Sequence, residues 1–409
     1  MHRIAGEGHL ADRFERVAYS ALPASMTADM WNHNYLTSVN EVSAVDSPMP
    51  HWWHSDGPHA GMYGLAPNYG LSRFCRTRFQ IERATLHSYG PDPHSCAVLC
   101  NFTTGCCTAN FNQGWPKLAF SVLGTWTDAG AAGGGVVISA FAPLYGVIPP
   151  SPATNSLAVA VDVETLYPFG DEVNITCTVG SGSGDAGTGS VPLRIRVPAW
   201  AAATARVSVN GGAFAPATPD ARGFYAVAGG CAAGRATKVV LDLRPAIRVE
   251  KGWGYNNSVA VVRGPLLFAL PLEETFKPVL HYALEAYLYS VTTTAGSWNK
   301  ALVLGGADDP ASTMTFHRNG PPDGLLPWGS GGDGPAGSGG GHYPVSITAH
   351  VRTIAAWTYN DTLHAANAPP PSPVDCSSSA TACGEMEEVE LVPFGMTRLR
   401  VGAFPWVTG

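Results

Sequence analysis

Charge is scarce in this chain: only 13% of its 409 residues are Asp, Glu, Lys or Arg, and the formal net charge is −7. The 24 basic residues form no stripe or cluster, which argues against a nucleic-acid partner. Long apolar runs are missing as well, so no segment is read as crossing a bilayer, and no membrane partner is expected. The opening Met1-His-Arg-Ile-Ala-Gly-Glu-Gly has no apolar stretch of the kind that directs secretion. Gly-rich runs are plentiful, at 180–189 and 329–341, yet none stands between a strand and a helix with Lys-Ser/Thr behind it, so a phosphate-cradling loop is excluded. These runs, like 368–382 with its Pro-Pro-Pro-Ser-Pro, read as surface loops.

What the chain does have is apolar material, 45% of residues, enough for the cores of two or three domains. It also has nine cysteines. Their scatter is no small disulfide framework, although Cys376 and Cys383 stand close enough to clip a loop in an oxidising compartment. Sequons at Asn101, Asn174, Asn256 and Asn360 fit a secreted or lumenal protein.

Two cysteines are adjacent. Cys106 and Cys107 lie in Gly-Cys-Cys-Thr-Ala-Asn-Phe-Asn-Gln-Gly-Trp-Pro-Lys at 105–117. Neighbouring thiols bridge each other only by distorting the backbone, whereas both can bind one soft metal ion, or one can act as an activated nucleophile. The bland alternative is a pair of buried apolar thiols.

Two helices are expected. Over residues 8–22, Leu10, Phe14, Val17, Ala18 and Leu22 recur at helical spacing, with Asp12 and Arg16 as an i,i+4 pair on the other side and Glu15 in a solvated ion pair beside Arg13 and Arg16. A second helix follows the cysteine pair, with Phe111, Trp115, Leu118, Ala119 and Val122 on one face and Pro116 early in it or kinking it. Between them, residues 24–70 are irregular and aromatic-rich, as loops lining a ligand cleft are. His33 and Tyr35 are candidates there for contacting a ligand, with ordinary packing as the alternative. Trp53, in a cluster with Trp52, His54 and Asp56, is a further candidate, since an indole has an apolar face and a polar edge. Asp29, Glu41 and Asp56 are the carboxylates considered for acid–base work, each better suited to a solvated or capping role.

From about residue 133 the texture becomes short β runs punctuated by Gly, Pro and Asn: 136–141, 157–163, 173–179, 193–197, 206–211 and 238–243, then 258–263, 345–351 and 388–392. Such runs at short intervals read as β-sandwiches.

The cysteine block resembles the signature of glycoside hydrolase family 127, the β-L-arabinofuranosidase family. Further segments resemble it in family order: 10–24, Asp29-Met-Trp-Asn-His-Asn-Tyr, Tyr63-Gly-Leu-Ala-Pro-Asn-Tyr-Gly, Leu193-Arg-Ile-Arg-Val-Pro-Ala-Trp, 259–266 and Leu391-Val-Pro-Phe-Gly-Met-Thr-Arg-Leu-Arg. The resemblance implies a mixed, mainly β chain of the six-hairpin glycosidase type. Residues 1–126 would be the C-terminal part of an α/α barrel, and 133–250 and 251–409 two β-sandwich domains. It implies Cys106 as nucleophile and zinc ligand, Cys107 as zinc ligand, His33 and Tyr35 as sugar contacts at the cleft, and an arabinose-containing glycan or glycoprotein as partner. The family's Glu-x-Cys ligands and its general acid precede the first helix and have no counterpart here, so most of the catalytic barrel is expected to be missing. Residues 71–104 separate blocks contiguous in the family. They are either an inserted loop at the cleft rim or an unspliced stretch of the gene; the second is favoured because unstructured loops longer than about 15 residues are uncommon. The reading from another class is a non-catalytic carbohydrate-binding or scaffold protein.

Overall fold

The computed structural model describes residues 6–26, 32–33, 37–44, 66–67, 110–111, 113–127, 133–180, 189–252, 255–278, 289–293, 298–324, 326–329, 342–360 and 365–409. Strands dominate. The described chain falls into two compact units, one of residues 1–19, 113–246 and 263–265, the other of 20–112, 247–262 and 266–409.

In the first unit, four strands form a sheet in the order Phe224–Ala232, Ser190–Arg196, Gly134–Ile138, Leu123–Thr127, with the central pair parallel. Six more form an antiparallel sheet in the order Ala215–Pro216, Arg206–Val209, Thr237–Asp242, Glu172–Val179, Val159–Thr165, Leu144–Ile148. Side chains alternate across a pleat, so one face of each strand collects the apolar residues. Val159, Val161, Val163, Val173, Ile175 and Leu241 are buried from the larger sheet, and Val191, Leu193 and Ile195 from the smaller. A disulfide between Cys177 and Cys231, Cα atoms 5.7 Å apart, ties strand Glu172–Val179 of one sheet to Phe224–Ala232 of the other. Cysteine spacing does not announce this bridge, because its halves lie 54 residues apart.

The second unit is built on a ten-stranded sheet whose main path runs Ile247–Lys251, Val259–Arg263, Leu266–Pro271, Cys383–Pro393, Val345–Ile354, Lys300–Leu304, Trp406–Thr408. Its core strands are apolar on both faces; Val259, Val261, Val262, Leu302, Leu304, Ile347 and Val351 are all buried. The expected Cys376–Cys383 clip is present.

The first helix differs from its expectation. It runs α-helically from Gly8 to Arg16, continues as a π turn over Val17–Ala21, and ends in the short helix Leu22–Ala24. Its buried face is Gly8, Ala11, Glu15, Ala18 and Tyr19, whereas Val17 is 58% exposed and Leu10 and Phe14 are half-buried. Small residues win because the helix lies close against backbone: the Gly8 N–H donates to the Arg222 carbonyl at 2.8 Å, and a Cβ on Gly8 would stand 2.9 Å from that same oxygen.

Candidate functional site

Cys106, Cys107, Tyr35 and Trp53 lie outside the described residues, as do Asp29, Trp52, His54, Asp56 and the segment 71–104. Of the candidate sugar-binding residues, His33 is placed by its backbone: strand Asn32–His33 pairs antiparallel with Ala66–Pro67, His33 opposite Ala66. Two of the aromatic-rich sequence blocks are thereby brought side by side.

The cysteine block leads into the second expected helix. It spans Gly114–Val122, with Pro116 in its first turn, where a missing N–H costs no helical hydrogen bond. Leu118, Ser121 and Val122 are its buried residues, while Ala119 and Phe120 are exposed. Ser121 Oγ donates to the Lys117 carbonyl at 2.7 Å and Ser139 Oγ to the Ser121 carbonyl at 2.7 Å, which fastens the end of the helix to the chain after strand Gly134–Ile138. The helix passes directly into strand Leu123–Thr127 of the four-stranded sheet.

The most elaborate polar cluster described centres on Glu15, and it overturns the solvated ion pair expected there. Both Glu15 and Arg196 are fully buried and their charged groups meet at 2.5 Å. Glu15 Oε1 accepts the Phe141 N–H at 2.8 Å, and Oε2 accepts the Tyr167 hydroxyl at 2.5 Å. Asp12, expected as partner to Arg16, takes a hydrogen bond from Arg196 Nη1 and another from the Ala199 N–H at 3.0 Å. The Tyr19 hydroxyl donates to the Phe141 carbonyl, and the rings of Tyr19 and Phe141 stand edge-on to Tyr167 at 5.6 and 5.3 Å.

Alternation along Leu193-Arg-Ile-Arg puts Arg194 and Arg196 on the face opposite the core. Arg194 stacks on Trp126 at 3.5 Å, whereas Arg196 is sealed by the first helix. Burial raises the Glu15 pKa above the usual carboxyl range, against the pull of Arg196, Tyr167 and the Phe141 amide. Burial works against the charge on Arg196 too, but Glu15 and Asp12 outweigh it and the guanidinium stays charged. Burial and the nearby Glu15 charge push both tyrosines well up, so they remain phenols. Because Glu15 and Arg196 have no solvent-reachable face, this group serves as a clasp between helix and sheet rather than as an acid–base pair.

Glu41 is neither solvated nor a helix cap: it lies buried on strand Asn40–Glu41, its carboxylate accepts the Ser38 N–H at 2.6 Å, and it faces Arg400 at 3.5 Å. Arg400, in the motif Pro393-Phe-Gly-Met-Thr-Arg-Leu-Arg, donates to the carbonyls of Thr397 at 2.9 Å and Ser38 at 2.9 Å. Burial lowers its pKa, with Glu41 and Glu274 opposing. Among the described residues no group of three or more His, Cys, Asp or Glu is arranged to hold a metal ion.

Residues 147–243 match the family model of the β-L-arabinofuranosidase GH127 middle domain. That span covers nearly all of the six-stranded sheet and the Cys177–Cys231 disulfide. Two solved structures share the fold, each with a TM-score of 0.52 over the whole of this chain: a glycoside hydrolase at 12% identity and a GH127 β-L-arabinofuranosidase from Geobacillus stearothermophilus T6 at 14%. The chain spans about half of their length, 50% and 48% respectively. No curated protein matches it significantly. The chain thus resembles glycoside hydrolase family 127 in its sequence blocks, and residues 147–243 match the model of that family's middle domain.

Proposed function

We propose that this chain is a retaining glycoside hydrolase-like protein acting on β-L-arabinofuranosides, with Cys106 as covalent nucleophile. The observation that carries this reading is the coincidence, on one chain, of the Cys106-Cys107-Thr-Ala-Asn block with the family's middle domain at 147–243. Helix Gly114–Val122 and strands Leu123–Thr127 and Gly134–Ile138 lie between them. On this reading residues 1–126 are a barrel-like segment and 133–250 and 251–409 are two β-sandwiches, the first supported by the disulfide that joins its two sheets.

The thiolate attacks the anomeric carbon and a C–S bond forms as the glycosidic C–O bond breaks, the aglycone leaving as an alcohol with a proton taken from water; water later displaces the sulfur with net retention, giving the free sugar, the thiolate and a proton. His33, Tyr35 and Trp53 contact the sugar, part of an arabinose-containing glycan or glycoprotein. The family's zinc fits this chain only in part. Cys106 and Cys107 are two soft donors where a closed tetrahedral shell takes four, and the described residues offer no cluster to complete it. The attack is therefore assigned to the thiolate without a metal-borne step. A secreted or lumenal location is supported by the two disulfides, which persist in oxidising compartments.

The test is an arabinofuranoside carrying an electrophilic trap at its anomeric carbon, followed by digestion and mass spectrometry. Cys106 is expected to carry the label and Cys107 to remain free, and Cys106→Ser should abolish labelling. A label on a carboxylate would overturn the thiolate mechanism. Tight binding of arabinoglycan with no label would favour a non-catalytic carbohydrate-binding protein.

A further inference from the structure

Asn174 begins the sequon Asn174-Ile175-Thr176 on strand Glu172–Val179, near the middle of the six-stranded sheet. The strand alternates: Val173, Ile175 and Cys177 are buried, while Glu172, Asn174 and Thr178 are exposed. Across the sheet Asn174 pairs in register with Glu164 on one side and Val240 on the other. Its side-chain amide has no hydrogen-bond partner among the described residues. The other described sequons differ. Asn256 sits at a left-handed φ of 57° and its Nδ2 donates to the Pro369 carbonyl at 2.7 Å. Asn360 Nδ2 donates to Asn367 Oδ1 at 3.4 Å. Asn101 lies outside the described residues.

We propose that Asn174 carries an N-linked oligosaccharide. The donor class is an oligosaccharide linked through C1 to a lipid pyrophosphate. The amide nitrogen bonds to C1, the C1–O bond to the pyrophosphate breaks, the amide gives up one of its two protons, and the lipid pyrophosphate departs, with no change of oxidation state. The disulfides support an oxidising compartment: three residues along the same strand, on the opposite face, Cys177 is bridged to Cys231, and Cys376 to Cys383. The proposal rests on the secreted or lumenal reading above. A glycan here stands on the solvated side of the sheet, away from the Val173–Ile175–Cys177 core.

The experiment expresses the full chain behind a secretory leader in a eukaryotic host, and maps glycan occupancy and disulfides by peptide mass spectrometry before and after enzymatic deglycosylation. Asn174 is expected to be occupied in most molecules, and at least several-fold more often than Asn256. Asn174→Gln should remove one glycan without shifting the thermal midpoint of the deglycosylated protein. An unmodified Asn174 in secreted chains whose Cys177–Cys231 bridge has formed would overturn the proposal while leaving the compartment reading intact. Free thiols at both positions together with an empty Asn174 would overturn both.

Discussion

Glu15 of the first helix and Arg196 of strand Ser190–Arg196 form an ion pair at 2.5 Å with neither side chain exposed to solvent. Two buried opposite charges attract strongly but each has lost its water, so their value to the fold depends on how fully they are hydrogen-bonded. Here the Phe141 amide, the Tyr167 hydroxyl and Asp12 supply further partners.

Breaking one side of that pair should be far worse than replacing both. Glu15→Leu leaves Arg196 buried with Asp12 alone, and the expected loss is about 3–5 kcal/mol. Adding Arg196→Met should recover much of it, because an apolar pair needs no solvation. Urea denaturation of the two single variants and the double variant measures the coupling; strictly additive losses would show that the charges act independently.

A second ion pair should show itself through pH. Glu387 accepts from Lys300 Nζ at 2.6 Å and from Thr353 Oγ1 at 3.0 Å, and chiefly the Lys300 hydrogen bond holds its carboxyl below the ordinary value of 4.5. The folded pKa is thus below the unfolded one, so the unfolded chain binds this proton more tightly. The pair's contribution is fully present above the unfolded value and is lost as pH falls through the folded one. Because the Glu387 side chain is 45% exposed, solvent screening limits it to about 0.2–1 kcal/mol. Compared by denaturation, wild type should exceed Glu387→Gln at about pH 6, and the difference should vanish once the pH falls below the folded-state pKa.

The Cys177–Cys231 bridge should contribute more than the Glu387–Lys300 pair. Closing a loop with a sequence separation of 54 restricts the unfolded chain, and loop-closure entropy puts the stabilisation at about 4 kcal/mol at most. Replacing both cysteines by alanine should lower the thermal midpoint of the first unit, whereas the same change at Cys376 and Cys383, separated by only 7 residues, should lower stability less. Calorimetry of both variants decides the order.

Much of this chain could be read in one dimension. Period-two alternation located strands such as Val159–Thr165, Glu172–Val179 and Thr237–Asp242, because a pleated strand with one face in the core has to alternate. The turn-scale spacing of Cys376 and Cys383 announced their bridge, and the helix after the cysteine pair followed from Leu118 and Val122 at i,i+4. Strand Leu123–Thr127 was hidden because it continues that helix without a break, and Phe224–Ala232 because Gly229 and Gly230 interrupt its pattern.

Local sequence set where the strands and helices fall and which thiols could do chemistry, since propensity, alternation and motif spacing act over a few residues. Which polar groups are buried was settled by long-range packing. Glu15 looked like a solvated helix charge until the helix was laid against Arg196 of strand Ser190–Arg196, its approach allowed by Gly8 and Ala11. Burial is a property of what lies on the other side of a side chain, and for Glu15, Arg196, Cys177 and Cys231 that neighbour is supplied by chain far away in sequence.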